Sequence, residues 1–123
     1  MKALLLLILI VLTPFLWGCE KAKTPTGKIH FALGSKLFEQ EAYAAAAEEY
    51  HKGVLLGSAV CRRGELVSLI MASGGTNTVF LAKAKASMEL ARSSGETGAE
   101  DAYHTWLRHV GAEDWEKTLK SEP

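Results

Sequence analysis

Four histidines, two cysteines and three adjacent carboxylate pairs are the side chains of this sequence with the chemistry for metal ligation, nucleophilic attack or proton transfer. Their spacing argues against all three. His104 and His109 are five apart, which turns them roughly 140° from each other on a helix, so they cannot hold one metal from one face. There is no His-Glu-x-x-His zinc pattern, no paired Cys-x-x-Cys, no phosphate loop and no Gly-x-Ser-x-Gly elbow. The four histidines, His30 and His51 included, read as surface or packing groups. Glu48-Glu49, Glu100-Asp101 and Glu113-Asp114 are chain neighbours, and helix neighbours point about 100° apart. They suit solvated helix faces and helix starts better than a general acid and base. The residues therefore predict no catalytic site, no metal site and no enzyme. Cys61 follows the apolar stretch Val54–Val60 and reads as buried and inert; exposed in an oxidising compartment it would pair between chains.

Cys19 has a different setting. Met1-Lys2 form a short basic end, Ala3 through Leu12 an unbroken apolar run, and Thr13-Pro14 break it, which are the parts of a secretory leader. Ala3 to Gly18 is 16 residues, short of the roughly 20 that cross a bilayer core as a helix. The leader closes on Leu16-Trp17-Gly18-Cys19, and this resembles the lipobox of bacterial lipoproteins, with Trp17 larger than that family's usual residue. The resemblance implies that residues 1–18 are a signal peptide and that Cys19 becomes the new amino terminus. It also implies a covalent lipid on Cys19, palmitate among its acyl groups, as the only non-protein component. Two or more such chains anchor a protein stably in a bilayer. Glu20 stands where the inner-membrane retention signal of Gram-negative lipoproteins is typically Asp. The resemblance thus implies an outer-membrane location facing the periplasm in a Gram-negative cell.

These residues need a scaffold, and the chain after Gly18 is composed for a helical one. From Cys19 on, 13 Lys and Arg face 14 Asp and Glu, and Arg62-Arg63 is the only adjacent basic pair. Such a near-neutral chain has no electrostatic footprint for nucleic acid. Residues 19–28 carry Lys, Thr, Pro and Gly without an apolar period and read as the lipidated cysteine and a tether. Residues 29–120 then form one domain. The periodicity predicts helices over Ile29–Gln40, Tyr43–Leu55, Arg63–Ala72, Thr78–Arg92 and Ala99–Val110, with a short sixth over Ala112–Leu119. Gly74-Gly75, Ser93-Ser94-Gly95 and Gly111 punctuate them, and Thr76, Asn77 and Thr78 offer helix caps. No strand pattern competes, so the fold class is all-α.

The most specific motif lies in Ile29–Val54. His30-x2-Leu33-Gly34-x2-Leu37 precedes Ala46-x3-Tyr50, with Tyr43 and Gly53 at matching offsets. The segment resembles a tetratricopeptide-repeat hairpin, whose signature is W-x2-L-G-x2-Y followed by A-x3-F over about 34 residues. Gly34 and Ala46 are small where two helices cross, and Leu33, Leu37, Tyr43 and Tyr50 are expected to fill the space around them. His30 replaces the usual Trp and Glu41 the usual turn glycine. A step of 34 residues puts Val67, Ser68, Met71 and Gly75 on the positions of Leu33, Gly34, Leu37 and Glu41, a second and degenerate repeat. In its partner helix Phe80 falls where a small residue is expected. The helix carrying Tyr103, Trp106, Leu107 and Val110 would be a C-terminal cap. Two hairpins and a cap are few, since about three units are usually needed to bury a continuous core. Either the chain folds as a compact bundle or its open repeat end docks on a partner.

Carried over residue by residue, the family's groove falls on Lys28, Phe31, Ser35, Phe38 and Glu39 in the first hairpin and on Arg62, Glu65 and Leu69 in the second. The resemblance implies peptide or protein binding there, with Phe31 and Phe38 as apolar anchors and Arg62 or Lys28 meeting a carboxylate. The alternative for both phenylalanines is core packing. Together the two resemblances imply a membrane-anchored adaptor or assembly factor in the bacterial envelope, similar to pilotins and accessory factors of secretion, pilus or conjugation systems. Its partners would be the bilayer and an envelope protein or peptide, with a second copy of the chain as a further candidate. The alternative function is a surface-exclusion or small-ligand-binding lipoprotein with a helical bundle.

Overall fold

A computed structural model describes residues 26–121, and the expected signal peptide, Cys19 and most of the tether lie outside them. The described chain is all-α: α1 Thr26–Glu39, α2 Tyr43–Leu55, α3 Ala59–Ser73, α4 Thr78–Ser93, α5 Ala99–His109 and α6 Trp115–Ser121. The short connections make consecutive helices packed neighbours, as in a run of hairpins. α1 also touches α3, and α3 also touches α5, so the first helices of successive hairpins form a row with α2 and α4 packed against it.

Local chemistry sets the boundaries. α3 starts four residues before its expected Arg63 because the Ser58 side chain accepts the Cys61 N–H and caps it there. It ends where Gly74 turns left-handed at φ 60°. Asn77 caps α4 by accepting the N–H groups of Val79 and Phe80. α1 begins at Thr26, inside the expected tether, because tertiary contact secures its first turn: the Cys61 thiol donates to the Gly27 carbonyl at 3.5 Å.

Two apolar clusters hold the helices. Leu66, Ile70, Leu81, Ala84, Met88, Tyr103, Leu107 and Trp115 join α3, α4, α5 and α6. Ala46, Tyr50 and Cys61 form a second, smaller one with Leu37, Phe38 and Val54. Cys61 is a free, fully buried thiol among the described residues. Leu33 departs from its expected packing role and is 45% exposed. Gly34 takes the face turned to Tyr50, and Leu33 lies about 100° round the helix, on an exposed flank. α6 is secured to α5 through Trp115, whose indole N–H donates to the Tyr103 hydroxyl at 3.1 Å. It is secured to α4 through Lys85, which donates to Glu116 at 2.9 Å.

The connections gather at two ends. The start of α1, the α2–α3 connection and the α4–α5 connection meet at one, where Gly27 abuts Ser58, and Arg62 pairs with Glu96 at 2.6 Å. The α1–α2 and α3–α4 connections and the end of α5 meet at the other, where the Phe38 and Trp106 rings lie 6.3 Å apart and Gly75 abuts Val110.

Candidate functional site

A groove of about 740 Å³ runs between α2 and α4, floored by α3. Helical spacing builds each wall. Ala44, Ala47, Glu48 and His51 stand at i, i+3, i+4 and i+7 on α2, and Phe80, Lys83, Ser87 and Leu90 form the facing stripe of α4. Between them α3 presents Glu65 and Leu69, one turn apart and both buried. The alanines of α2 keep that wall low, so the groove is wide enough to expose an apolar floor between charged rims.

Glu65 is the chemical centre of this floor. One carboxylate oxygen accepts the Ser87 hydroxyl at 2.8 Å, and the other pairs closely with Nδ1 of His51, whose ring reaches into solvent. With Glu65 ionised the imidazole Nδ1–H is the donor, because a carboxylate only accepts. Both oxygens of this buried carboxylate thus have hydrogen-bond partners. Ser87 donates to the carboxylate and not to His51, so the three side chains are not in the serine–imidazole–carboxylate order of a catalytic triad. The arrangement sets an oriented imidazole and a carboxylate beside Leu69, Phe80 and Leu90. Lys83 stands over the Phe80 ring at 5.8 Å and is the cation on the α4 rim.

A second polar cluster ties α1 to α2. Glu49 pairs with Lys52 at 2.8 Å and with His30 at 3.1 Å. The Lys52 hydrogen bond above all, and then that of His30, hold the Glu49 carboxyl below the usual carboxylate range, while the same contact raises the Lys52 ammonium.

The structure spreads the eight expected partner-binding residues over several regions. Lys28 and Glu39 are exposed at the two ends of α1. Phe31, 39% exposed, lies 5.9 Å from the Tyr50 ring, and the Ser35 hydroxyl lies 2.9 Å from that of Tyr50. Phe38 takes the packing alternative, edge-on to Tyr43 at 5.0 Å and close to Trp106. Arg62 is spent on Glu96 beside the α4–α5 connection. Only Glu65 and Leu69 reach the α2–α4 groove, and they come with His51, Phe80, Lys83, Ser87 and Leu90, which sequence reasoning did not select. A signal for them existed. Phe80, too large for the small position of a second repeat, packs only partly against the main cluster and lines the groove with its remaining surface.

Among the described residues no cluster of three or more His, Cys, Asp or Glu could hold a metal ion, and no helix is long and apolar enough to cross a membrane. Compared with protein-family models, characterised proteins and solved structures, the chain matches none.

Proposed function

We propose that this protein is a lipid-anchored adaptor of the bacterial envelope, joined to a membrane through acylated Cys19 and holding a partner protein in the α2–α4 groove. The observation that carries the reading is the groove itself: Leu69 on its floor and Phe80 and Leu90 on its α4 wall give it an apolar lining beside the His51–Glu65 pair, open to solvent along two helices. A trough of this form suits a partner helix or extended segment that brings apolar side chains for the floor, a donor for the His51–Glu65 pair and an acid for Lys83. The leader and the Leu16-Trp17-Gly18-Cys19 sequence support the anchor. They also support a place on the periplasmic side of an outer membrane.

The test is capture of envelope proteins on the acylated protein, with two pairs of substitutions compared. Phe80→Ala with Lys83→Glu is expected to lose a specific partner, and Phe31→Ala with Arg62→Ala to retain it. The opposite pattern would move the site to the flank of α1. An unchanged partner set with a copurifying small molecule would favour the ligand-binding alternative.

A further inference from the structure

Four large apolar side chains stand on the surface at one end of the fold. Ile29 in the first turn of α1, Leu55 and Leu56 at the end of α2, and Val60 at the start of α3 are 54%, 73%, 53% and 56% exposed. They share this end because the start of α1 packs on the α2–α3 connection. Gly27 abuts Ser58, its carbonyl accepts from Cys61, and Gly53 backs onto both Cys61 and His30. Lys28 and Arg63 are exposed there with no acidic partner among the described residues, while Glu96 and Glu100 are held by Arg62 and Arg92, leaving Asp101. Exposed Val79, by contrast, lies in the first turn of α4 at the opposite end.

Where the chain leaves the fold says what covers this surface. α1 begins at Thr26, seven residues after Cys19, and seven residues reach at most about 25 Å. An acyl anchor on Cys19 therefore keeps this end within about 25 Å of the bilayer. The geometry points to a membrane-docked end: Ile29, Leu55, Leu56 and Val60 enter the lipid interface, and Lys28 and Arg63 meet anionic headgroups. Such burial adds to an acyl anchor as apolar area plus electrostatic attraction. The inference rests on the proposed acylation of Cys19, and it fixes the orientation of the domain. The α1–α2 and α3–α4 connections point away from the membrane and the α2–α4 groove opens sideways.

The test uses the processed, acylated protein in vesicles of phosphatidylethanolamine and phosphatidylglycerol with brominated acyl chains. Leu56→Trp probes the docked end and Val79→Trp the far end, each read against the native Trp106 and Trp115 emission. Bromolipid is expected to quench the added emission of Leu56→Trp severalfold more than that of Val79→Trp. Equal, weak quenching in vesicle-bound protein overturns the docked end and leaves the anchor standing. A blue-shifted but unquenched Leu56→Trp means that protein, a second copy included, covers this end, and also overturns it. A bare Cys19 by mass spectrometry, with the protein free of the vesicles, removes the anchor and the docked end together. Should Leu56→Trp disturb folding, the unsubstituted protein decides. The reactivity of Lys28 towards a water-soluble amine reagent, relative to Lys83, is expected to fall severalfold from detergent-solubilised to vesicle-bound protein, and an unchanged ratio overturns the inference.

Discussion

Gly34 of α1 and Gly64 of α3 rest their backbones against opposite faces of the Tyr50 ring. A Cβ on Gly34 would stand 2.8 Å from the nearest ring carbon, and one on Gly64 would stand 2.6 Å from it. Both are closer than real Cβ contacts, so one tyrosine on α2 sets the approach of both its neighbours. Overpacking of this kind costs about 1–3 kcal/mol, against a gain of about 1 kcal/mol in helix propensity from Gly to Ala. Gly34→Ala and Gly64→Ala are each expected to lose up to about 2 kcal/mol in urea unfolding, net of that gain. The double variant should lose at least the sum, because a ring displaced from one face is pressed onto the other. In a Tyr50→Leu background Gly34→Ala should become neutral or stabilising; a full penalty there would show that the ring is not the obstacle.

Glu41 is the one non-glycine residue with positive φ among the described residues, at 62°. It closes α1 by donating its N–H to the Phe38 carbonyl at 3.0 Å. A left-handed conformation costs an L-residue about 1–2 kcal/mol that glycine avoids. Glu41→Gly is expected to raise stability by about 1 kcal/mol after glycine's greater loss of chain entropy, measured as a shift of the urea midpoint at constant slope.

Glu41 also marks how far the sequence could be read. The position asked for a turn glycine and held a glutamate, yet the turn forms, because the helices on either side dictate its geometry. Gly34, Ala46 and Tyr50 were legible as a crossing since small-against-large spacing on two helices has one packing solution. The use of Tyr50 by α3 as well was not, because Gly64 is an unremarked residue until the third helix is in place. The groove was legible only in fragments. Glu65 and Leu69 lie on a face whose meaning depends on how far α2 and α4 stand apart, and no local pattern sets that distance. Arg62 likewise looks free in sequence and is neutralised by Glu96 from a connection 34 residues away.

Glu65 holds Ser87 and His51 at once, and its replacement tests whether the floor of the groove depends on the charge. Glu65→Gln keeps an acceptor for the Ser87 hydroxyl but loses the charge-assisted bond to His51, so a cost of about 1–2 kcal/mol is expected. Glu65→Ala, which leaves the Ser87 hydroxyl without its acceptor and opens space beside Leu69, should cost more. Equal losses for the two would mean that the hydrogen bonds contribute nothing beyond volume.

Ser68 sits fully buried in α3 with no hydrogen-bond partner for its hydroxyl among the described residues. An unsatisfied buried polar group costs about 1–3 kcal/mol, and alanine is the better helix former. Ser68→Ala is therefore expected to stabilise the fold by about 1 kcal/mol or more. A destabilised variant would mean that the hydroxyl has a bonding role there.

Tyr103 and Trp115 give the stability a signature at alkaline pH. Burial pushes the Tyr103 phenol above its ordinary value of 10.0, and the indole N–H of Trp115, which would favour the phenolate, only partly opposes this. A group whose folded pKa is raised contributes stability that is full below the unfolded pKa and is lost as pH rises through the folded one. The native protein should thus weaken progressively above about pH 10. Tyr103→Phe should be less stable than the native chain at neutral pH by about 1 kcal/mol, since the Trp115 N–H loses its acceptor. Above pH 10 the variant has no phenol to ionise at this site, so the gap between the two should narrow. Urea unfolding of both proteins between pH 7 and pH 11 measures it, and a gap that stays constant or widens would show that Tyr103 does not carry the alkaline loss.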